Sequence, residues 1–349
     1  MKKNKDYKEQ ALLQFIGANP ARSSKEIHEG LGKELGYATV KRVLQKLLSE
    51  NYLQTVGQGK ATKYVISPAY ELLQPIDIEE YFKKEIDERN IKNGFNHSLI
   101  PVVLHQASIF TTNELNHLCE LQDQYTENIS KLSEPQYKKE LERLSIDLSW
   151  KSSQIEGNTY SLLETERLLK AKETASGKTK GEAVMLLNHK EALDFIIANP
   201  TYVVPLSVSR IEDIHGMLIK DLEVERNIRT QRVGISGTNY RPLDNEYQIR
   251  EALEDTCQLV NSPENVFVAA LLVLVLLSYI QAFNDGNKRT ARIISNAILI
   301  CNNYCPISFR TVDSVEYKKA MLLFYEQNNI AAFKKIFIEQ FEFAVNTYF

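Results

Sequence analysis

Residues 281–292 read QAFNDGNKRTAR, and their types and spacing suit the binding of a polyphosphate. Asp285, Gly286 and Asn287 tolerate the tight or left-handed backbone that precedes a helix start. The run that follows, patterned by Ile293, Ile294, Ala297, Ile298 and Ile300, predicts a helix from about Asn287 to Asn302. The first amides of such a helix face one point, where unsatisfied N–H groups and the helix dipole favour an anion. Arg289 and Arg292 are one turn apart, so both guanidinium groups can reach one polyphosphate. Asp285 beside them could hold a Mg²⁺ that bridges phosphate oxygens. Gln281 is discordant: it stands where a general base would be wanted, and a side-chain amide cannot take a proton near neutral pH. Alone, D-G-N is a common turn, and the same residues also suit a helix cap followed by a surface arginine pair.

Three elements would have to position these groups. The run Val266 to Ile280 is about 15 apolar residues with Ser278 inside it. At 1.5 Å per residue it is too short for a bilayer core of roughly 30 Å, so we expect a buried helix that delivers Gln281, and no membrane partner. The segment RTQRVGISGTNYRPL, residues 229–243, alternates β-branched residues with glycine and polar residues (Val233, Ile235, Thr238), which predicts a short hairpin. Almost everything else from about Ile78 to Phe349 reads as helix. Upstream, SSQIEG (residues 152–157) places Glu156 near a helix C-terminus, where a carboxylate needs a compensating cation.

Taken together these motifs resemble the Fic (Fido) family. Its signature H-x-F-x-D/E-G-N-G/K-R-x-x-R is matched by Phe283, Asp285, Gly286, Asn287, Lys288, Arg289 and Arg292, with Gln281 in place of the histidine. The family's inhibitory motif S/T-x-x-x-E-G/N is matched by Ser152, Glu156 and Gly157. The hairpin segment, with Val233, Gly234, Ile235, Ser236, Gly237 and Thr238, resembles the family's flap, which docks a target protein by strand addition. The resemblance implies transfer of AMP from ATP, with Mg²⁺, to a protein hydroxyl. In it Phe283, Asn284, Gly286, Asn287, Lys288, Arg289 and Arg292 bind the nucleotide, Asp285 holds the metal, and Glu156 pairs with Arg292 to displace the γ-phosphate. With Gln281 at the catalytic position, transfer is expected to be weak or absent. The alternative is a DNA-binding transcription regulator that uses this domain as a nucleotide- or partner-responsive module; a nucleotide sensor without chemistry and hydrolytic removal of AMP are further readings.

The amino-terminal segment reads differently. Ala11, Leu12, Phe15 and Ile16 mark a helix ending near Gly17 to Pro20, and Ser23 with Glu26 forms a capping box for a second. A third, from about Tyr37 to Asn51, has an apolar face of Val40, Leu44, Leu47 and Leu48 and leaves Thr39, Lys41, Arg42, Gln45 and Lys46 for solvent or DNA. LQTV, the turn GQGK and ATKYVI then predict a hairpin with Lys60 and Lys63 near its tip. Three helices and a basic hairpin make a winged helix-turn-helix, also used by modules that only bind proteins. Residues 1–66 carry 12 Lys/Arg against 6 Asp/Glu while the whole chain has a net charge of −3, so duplex DNA is expected as a partner of this segment only.

The expected fold is therefore mainly α: a winged helix over 1–68, a linker and leading helices over 69–110 marked by Pro68 and Pro75, and a helical Fic-type domain with a β-hairpin flap over 111–349, its core about 150–305. The four cysteines have no C-x-x-C spacing, and MKKNKDYKEQ has no apolar h-region, so a cytoplasmic chain without zinc or disulfides is expected. Winged helices commonly act on paired half-sites, so a homodimer is expected as well.

Overall fold

The structure is a computed structural model that describes residues 2–92, 94–262 and 265–349. The chain divides into two compact units, one of residues 1–75 with 102–115 and one of 76–101 with 116–349.

In the first unit, α1 (Lys2–Ala18), α2 (Ser24–Gly30) and α3 (Tyr37–Ser49) precede strands β1 (Leu53–Val56) and β2 (Lys63–Ile66) and the single turn α4 (Tyr70–Leu73). The capping box at α2 forms as the sequence predicts: Glu26 N–H donates to Ser23 Oγ at 3.3 Å, and Ser23 N–H donates to Glu26 Oε2 at 2.8 Å. The two strands pair antiparallel from Leu53 opposite Ile66 to Val56 opposite Lys63. Leu12, Ile16, Ile27, Val40, Val43, Leu44, Leu47 and Leu53 form one core, so the apolar face of α3 is buried on α1 and α2 and its polar face is turned out. This is a winged helix.

The second unit is helical. After the short α5 (Ile78–Phe82), and α6 (Leu104–Gln106) in the first unit, come α7 (Thr112–Ser130), α8 (Glu134–Ile155), α9 (Leu162–Ala171), α10 (Lys180–Ala198) and α11 (Val208–Leu218). They are followed by α12 (Glu246–Asn261), α13 (Val266–Ile280), α14 (Asn287–Cys301), α15 (Ser314–Gln327) and α16 (Ala331–Tyr348). The centre is α13, buried from Phe267 to Ile280 except for half-buried Val268, and packed against α12 and α14. A 15-residue helix that is apolar on every side can only lie in a core, and no described helix is long and apolar enough to cross a membrane.

One expectation is corrected. Residues 229–243 turn at Ser236–Gly237, but no strand pair forms there among the described residues; the one sheet is the wing. The outgoing arm has no regular secondary structure, with Val233 and Ile235 half-buried and Arg232, Gly234 and Ser236 exposed in alternation. The returning arm is captured by the core instead of by its partner arm. Tyr240 is buried, stacked 4.9 Å from Tyr279 and 5.6 Å from Tyr325, and its hydroxyl donates to Tyr279 O at 3.2 Å. Burying that ring outweighs the few ladder bonds a short hairpin would gain.

Candidate functional site

Gln281 caps α13 in a left-handed conformation, φ 52°, and redirects the chain toward α14. Its side chain is fully engaged: Nε2 donates to Ser278 O at 2.6 Å and Oε1 accepts from Asn287 Nδ2 at 3.2 Å. Asn287 closes the loop further, its Nδ2 donating to Phe283 O at 2.7 Å while its Oδ1 accepts from Phe283 N–H at 2.9 Å. Gln281 is thus a strut that holds the start of α14.

The loop between them is built around His215 on α11. Its ring lies flat on Phe283, centroids 3.6 Å apart, with Nε2 2.9 Å from Asp285 O and Nδ1 3.1 Å from Arg226 O. Burial pushes its pKa down to about 4, against the two carbonyls that face its nitrogens, and the stacked ring packs the loop onto α11. Gly286 sits directly on it at φ 82°, where a Cβ would lie 3.2 Å from His215 Cδ2, so only glycine fits. The α14 N-terminus that follows has no side-chain cap, which leaves its first amides available to an anion.

The two arginines stand behind this loop, and neither lines the cleft. Arg289 is 1% exposed; Nη2 donates to Asp285 Oδ2 at 2.7 Å, while Nε and Nη1 have no hydrogen-bond partner among the described residues. Arg292 is wholly buried and held by the end of α8: Nε donates to Ser152 Oγ at 2.8 Å, and Nη2 donates to Ser152 O at 3.0 Å and to Glu156 Oε1 at 2.8 Å. Lys288 Nζ donates to the other Glu156 oxygen at 3.2 Å. Burial raises the Glu156 pKa, but the Arg292 and Lys288 charges overcome it and hold the carboxyl at about 2. Two cations therefore offset the poor position of this carboxylate at a helix C-terminus, with Gly157 at φ 100° turning the chain away.

In front of the loop is a cleft of about 330 Å³. Gln281, Asn284, Asp285, Gly286, Asn287 and Lys288 form its floor, Glu156 with Ile155 one end, and Gly234, Ile235 and Ser236 a side wall. Val233, Gly237 and Thr238 of the same segment do not line it, and Asn284 turns its amide to Glu225 at 3.0 Å. A further wall, Lys318, Met321, Leu322 and Tyr325 on α15, was not foreseen. Its spacing of three, four and seven residues was readable as one helical face, but nothing in it distinguishes a cleft wall from a core stripe. Arg229 was also missed. It is 1% exposed and donates to Gln281 O at 2.6 Å, to Gln231 O at 2.7 Å and to Leu243 O, so it ties both ends of the flap to the α13 terminus. His189, behind α14, is a third: burial, then the charges of Arg292 and Arg289, push its pKa well down, and neither ring nitrogen has a described partner.

On the first unit, Lys41, Arg42 and Gln45 are exposed on α3, Thr39 is half-buried there, and Lys63 is exposed at the start of β2. Lys41 lies over the Tyr37 ring at 5.0 Å, and Lys46 is taken by Glu9 and Glu50. The Lys60 side chain lies outside the described residues.

Residues 205–299 match the family model of the Fic/DOC family, and residues 7–124 match that of the penicillinase repressor. Protein adenylyltransferase Fic of Nematostella vectensis is 32% identical over 174 residues, 48% of this chain and 40% of that protein. Protein adenylyltransferase fic-1 of Caenorhabditis elegans is 26% identical over 171 residues, 47% of this chain and 33% of that protein. The chain thus spans well under half the length of the curated relatives it matches. Among solved structures, C. elegans Fic-1 (residues 134–508 of that protein) superposes with a TM-score of 0.58 at 21% identity, over 68% of this chain and 72% of that one. A Fic domain containing signaling protein from Bacteroides thetaiotaomicron gives 0.57 at 18% identity, over 66% of this chain and 94% of that one. At these identities the structures establish a shared fold.

Proposed function

We propose, from the premise that this chain joins a penicillinase-repressor-type winged helix to a Fic/DOC domain, that the cleft binds ATP with Mg²⁺ and that AMP transfer from it is slow or silent. The observation that carries this reading is the state of the α14 N-terminus: uncapped amides face the cleft, Arg289 has two unpartnered donors, and Arg292 is occupied by Glu156. A buried guanidinium with unused N–H groups costs free energy, and in this structure Arg289 acts on the cleft through Asp285, which it holds and which borders the cleft.

Mg²⁺ fits beside Asp285. Among the described residues no cluster of three or more metal-binding side chains exists, and Mg²⁺ commonly takes one carboxylate with phosphate oxygens and waters. Asp285 is that carboxylate: one of its oxygens is engaged by Arg289, and the residue borders the cleft. When bound, the ion supplies neutralisation of phosphate charge.

In AMP transfer a target hydroxyl oxygen bonds to the α-phosphorus, the bond to the bridging oxygen breaks, pyrophosphate leaves, and the hydroxyl proton needs an acceptor. Gln281 offers none, since its amide is tied to Ser278 and Asn287 and is not basic. Loss of a general base typically costs about 10²- to 10⁴-fold in rate. Glu156 acts separately, keeping Arg292 and Lys288 from an outer phosphate. The unpaired arm at Val233 to Ile235 is where a target segment would add as a strand. The test is labelled ATP with four proteins: the parent, Glu156→Gly, Gln281→His and the double variant. We expect self-labelling of the double variant far above either single change, because one substitution frees the arginine and the other restores proton transfer. A double variant no more active than the parent would make the domain a binding module.

A second reading is favoured by the repressor match together with exposed Lys41, Arg42, Gln45 and Lys63: a DNA-binding regulator, acting as a homodimer, in which the cleft responds to nucleotide or partner. The two readings are compatible.

A further inference from the structure

We infer that Arg89, which lies more than a hundred residues ahead of the Fic/DOC match, is a positioning residue for the flap and sets the width of the cleft. The inference rests on the reading of that cleft as a ligand site. Residues 77–92 form a strap of the short α5, a 3₁₀ turn (Ile86–Glu88) and irregular chain that follows the winged-helix residues in sequence and packs on α15.

The Arg89 side chain is 4% exposed and makes two different bonds with one fork. Nη1 donates to Glu326 Oε1 on α15 at 2.9 Å, and Nη2 donates to the Gly237 carbonyl at the flap tip at 2.8 Å. Glu326 is fully buried, and its second oxygen accepts from Tyr81 Oη at 2.6 Å. The strap also holds the returning arm, Asp87 Oδ1 accepting from Asn239 Nδ2 at 2.7 Å. Gly237 itself is at φ 89° with a hypothetical Cβ 3.3 Å from Leu322 Cδ1, so the tip lies directly against the α15 wall.

The geometry has one consequence that an ordinary ion pair would not. Glu326 belongs to the helix that supplies part of the cleft lining, and Gly237 adjoins Gly234 to Ser236, which supply another part. Arg89 bonds to both, so a single planar group fixes their separation at the flap tip, while Arg229 fixes the flap base. A lysine can neutralise Glu326 but lacks the rigid fork that reaches both acceptors. Nor is the pair needed for packing alone, since a buried Arg–Glu pair can often be replaced by apolar residues of similar volume without loss of stability.

That property separates a positioning role from a structural one. The full-length chain is compared with Arg89→Met/Glu326→Met, which removes both charges and the donor to Gly237, and with Arg89→Lys, which keeps the charge pair. Trypsin cleavage of the Arg232–Val233 bond, which lies in the flap beside an exposed side chain, reports flap opening; thermal midpoint and cleavage at other bonds report global stability. We expect cleavage at Arg232 to accelerate roughly tenfold in both variants, the worth of one charge-assisted hydrogen bond to a local opening. The midpoint of the double variant should stay within a few degrees of the parent. An unchanged rate in the double variant, or acceleration at every bond in step with a falling midpoint, overturns the assignment. Calorimetry of ATP on the parent decides the ligand reading independently, so failure of one is not mistaken for failure of the other.

Discussion

At the scale of the residue, the site is a contest for cations. Among the described residues Arg292 has one carboxylate partner, Glu156, with Nη1 left over, and Arg289 has one, Asp285, with Nε and Nη1 left over. Arg289 does not line the cleft but holds Asp285, which does, so Arg289→Ala should weaken ATP binding with Mg²⁺ by about tenfold in calorimetry, and unchanged affinity would remove this site from consideration. The grip of Glu156 has a defined pH window. Its carboxyl is held at about 2 in the folded chain against an ordinary 4.5, so its stabilising bonds are complete above about pH 4.5 and are lost as pH falls toward 2. The Glu156 carboxylate is ionised throughout pH 6 to 8, so proton concentration in that range does not release its hold on Arg292. Glu156→Gln should cost about 1.5–3 kcal/mol at pH 7, read as a lowered thermal midpoint, and the gap from the parent should narrow below pH 4.5. An equal gap at pH 3 and pH 7 would mean that Arg292 does not depend on that charge.

At the scale of the element, α13 bears the mechanical load, because both the loop and the flap are fastened to its end through Gln281. Leu274, at mid-helix and 0% exposed, should cost about 2–5 kcal/mol when cut to alanine, and denaturant unfolding measures it. A smaller cost would mean that neighbouring helices collapse into the space. This helix was legible in the sequence because 15 apolar residues without a polar face admit few other fates, and α14 was legible from its isoleucine period. The capping box at Ser23 and the wing were legible through side-chain chemistry local to each. The flap was misread. Its alternation of Val233, Gly234, Ile235 and Ser236 is that of an extended strand, and burial alternates there as well, but pairing depends on what else competes for the returning arm. Tyr240 found two stacked tyrosines, at 279 and 325, that no local pattern reveals. The α15 wall, Arg229 and Arg89 were invisible for the same reason: a buried arginine looks like a surface arginine until the fold brings carbonyls to it.

At the scale of the whole molecule, charge is sorted along the chain. Residues 1–66 carry an excess of 6 positive charges and the remainder an excess of 9 negative ones, so DNA is attracted by one end and repelled by the other. Any DNA binding must then be short-ranged and carried by few phosphates, of which Lys41, Arg42 and Lys63 can reach about three. With a slope of about −0.9 per phosphate, affinity should fall roughly 50-fold between 50 and 200 mM salt for one winged helix. Lys41→Glu with Arg42→Glu reverses two of those contacts and should flatten the slope by about 2 while abolishing retention near physiological salt. The same slope reads the assembly. Two winged helices on paired half-sites release counterions from both, so a homodimer should give about twice the single-module slope on a palindromic duplex and the single value on a half-site. Equal slopes on the two duplexes would argue for a monomer on DNA. A flat salt dependence on both would assign the winged helix to a protein partner.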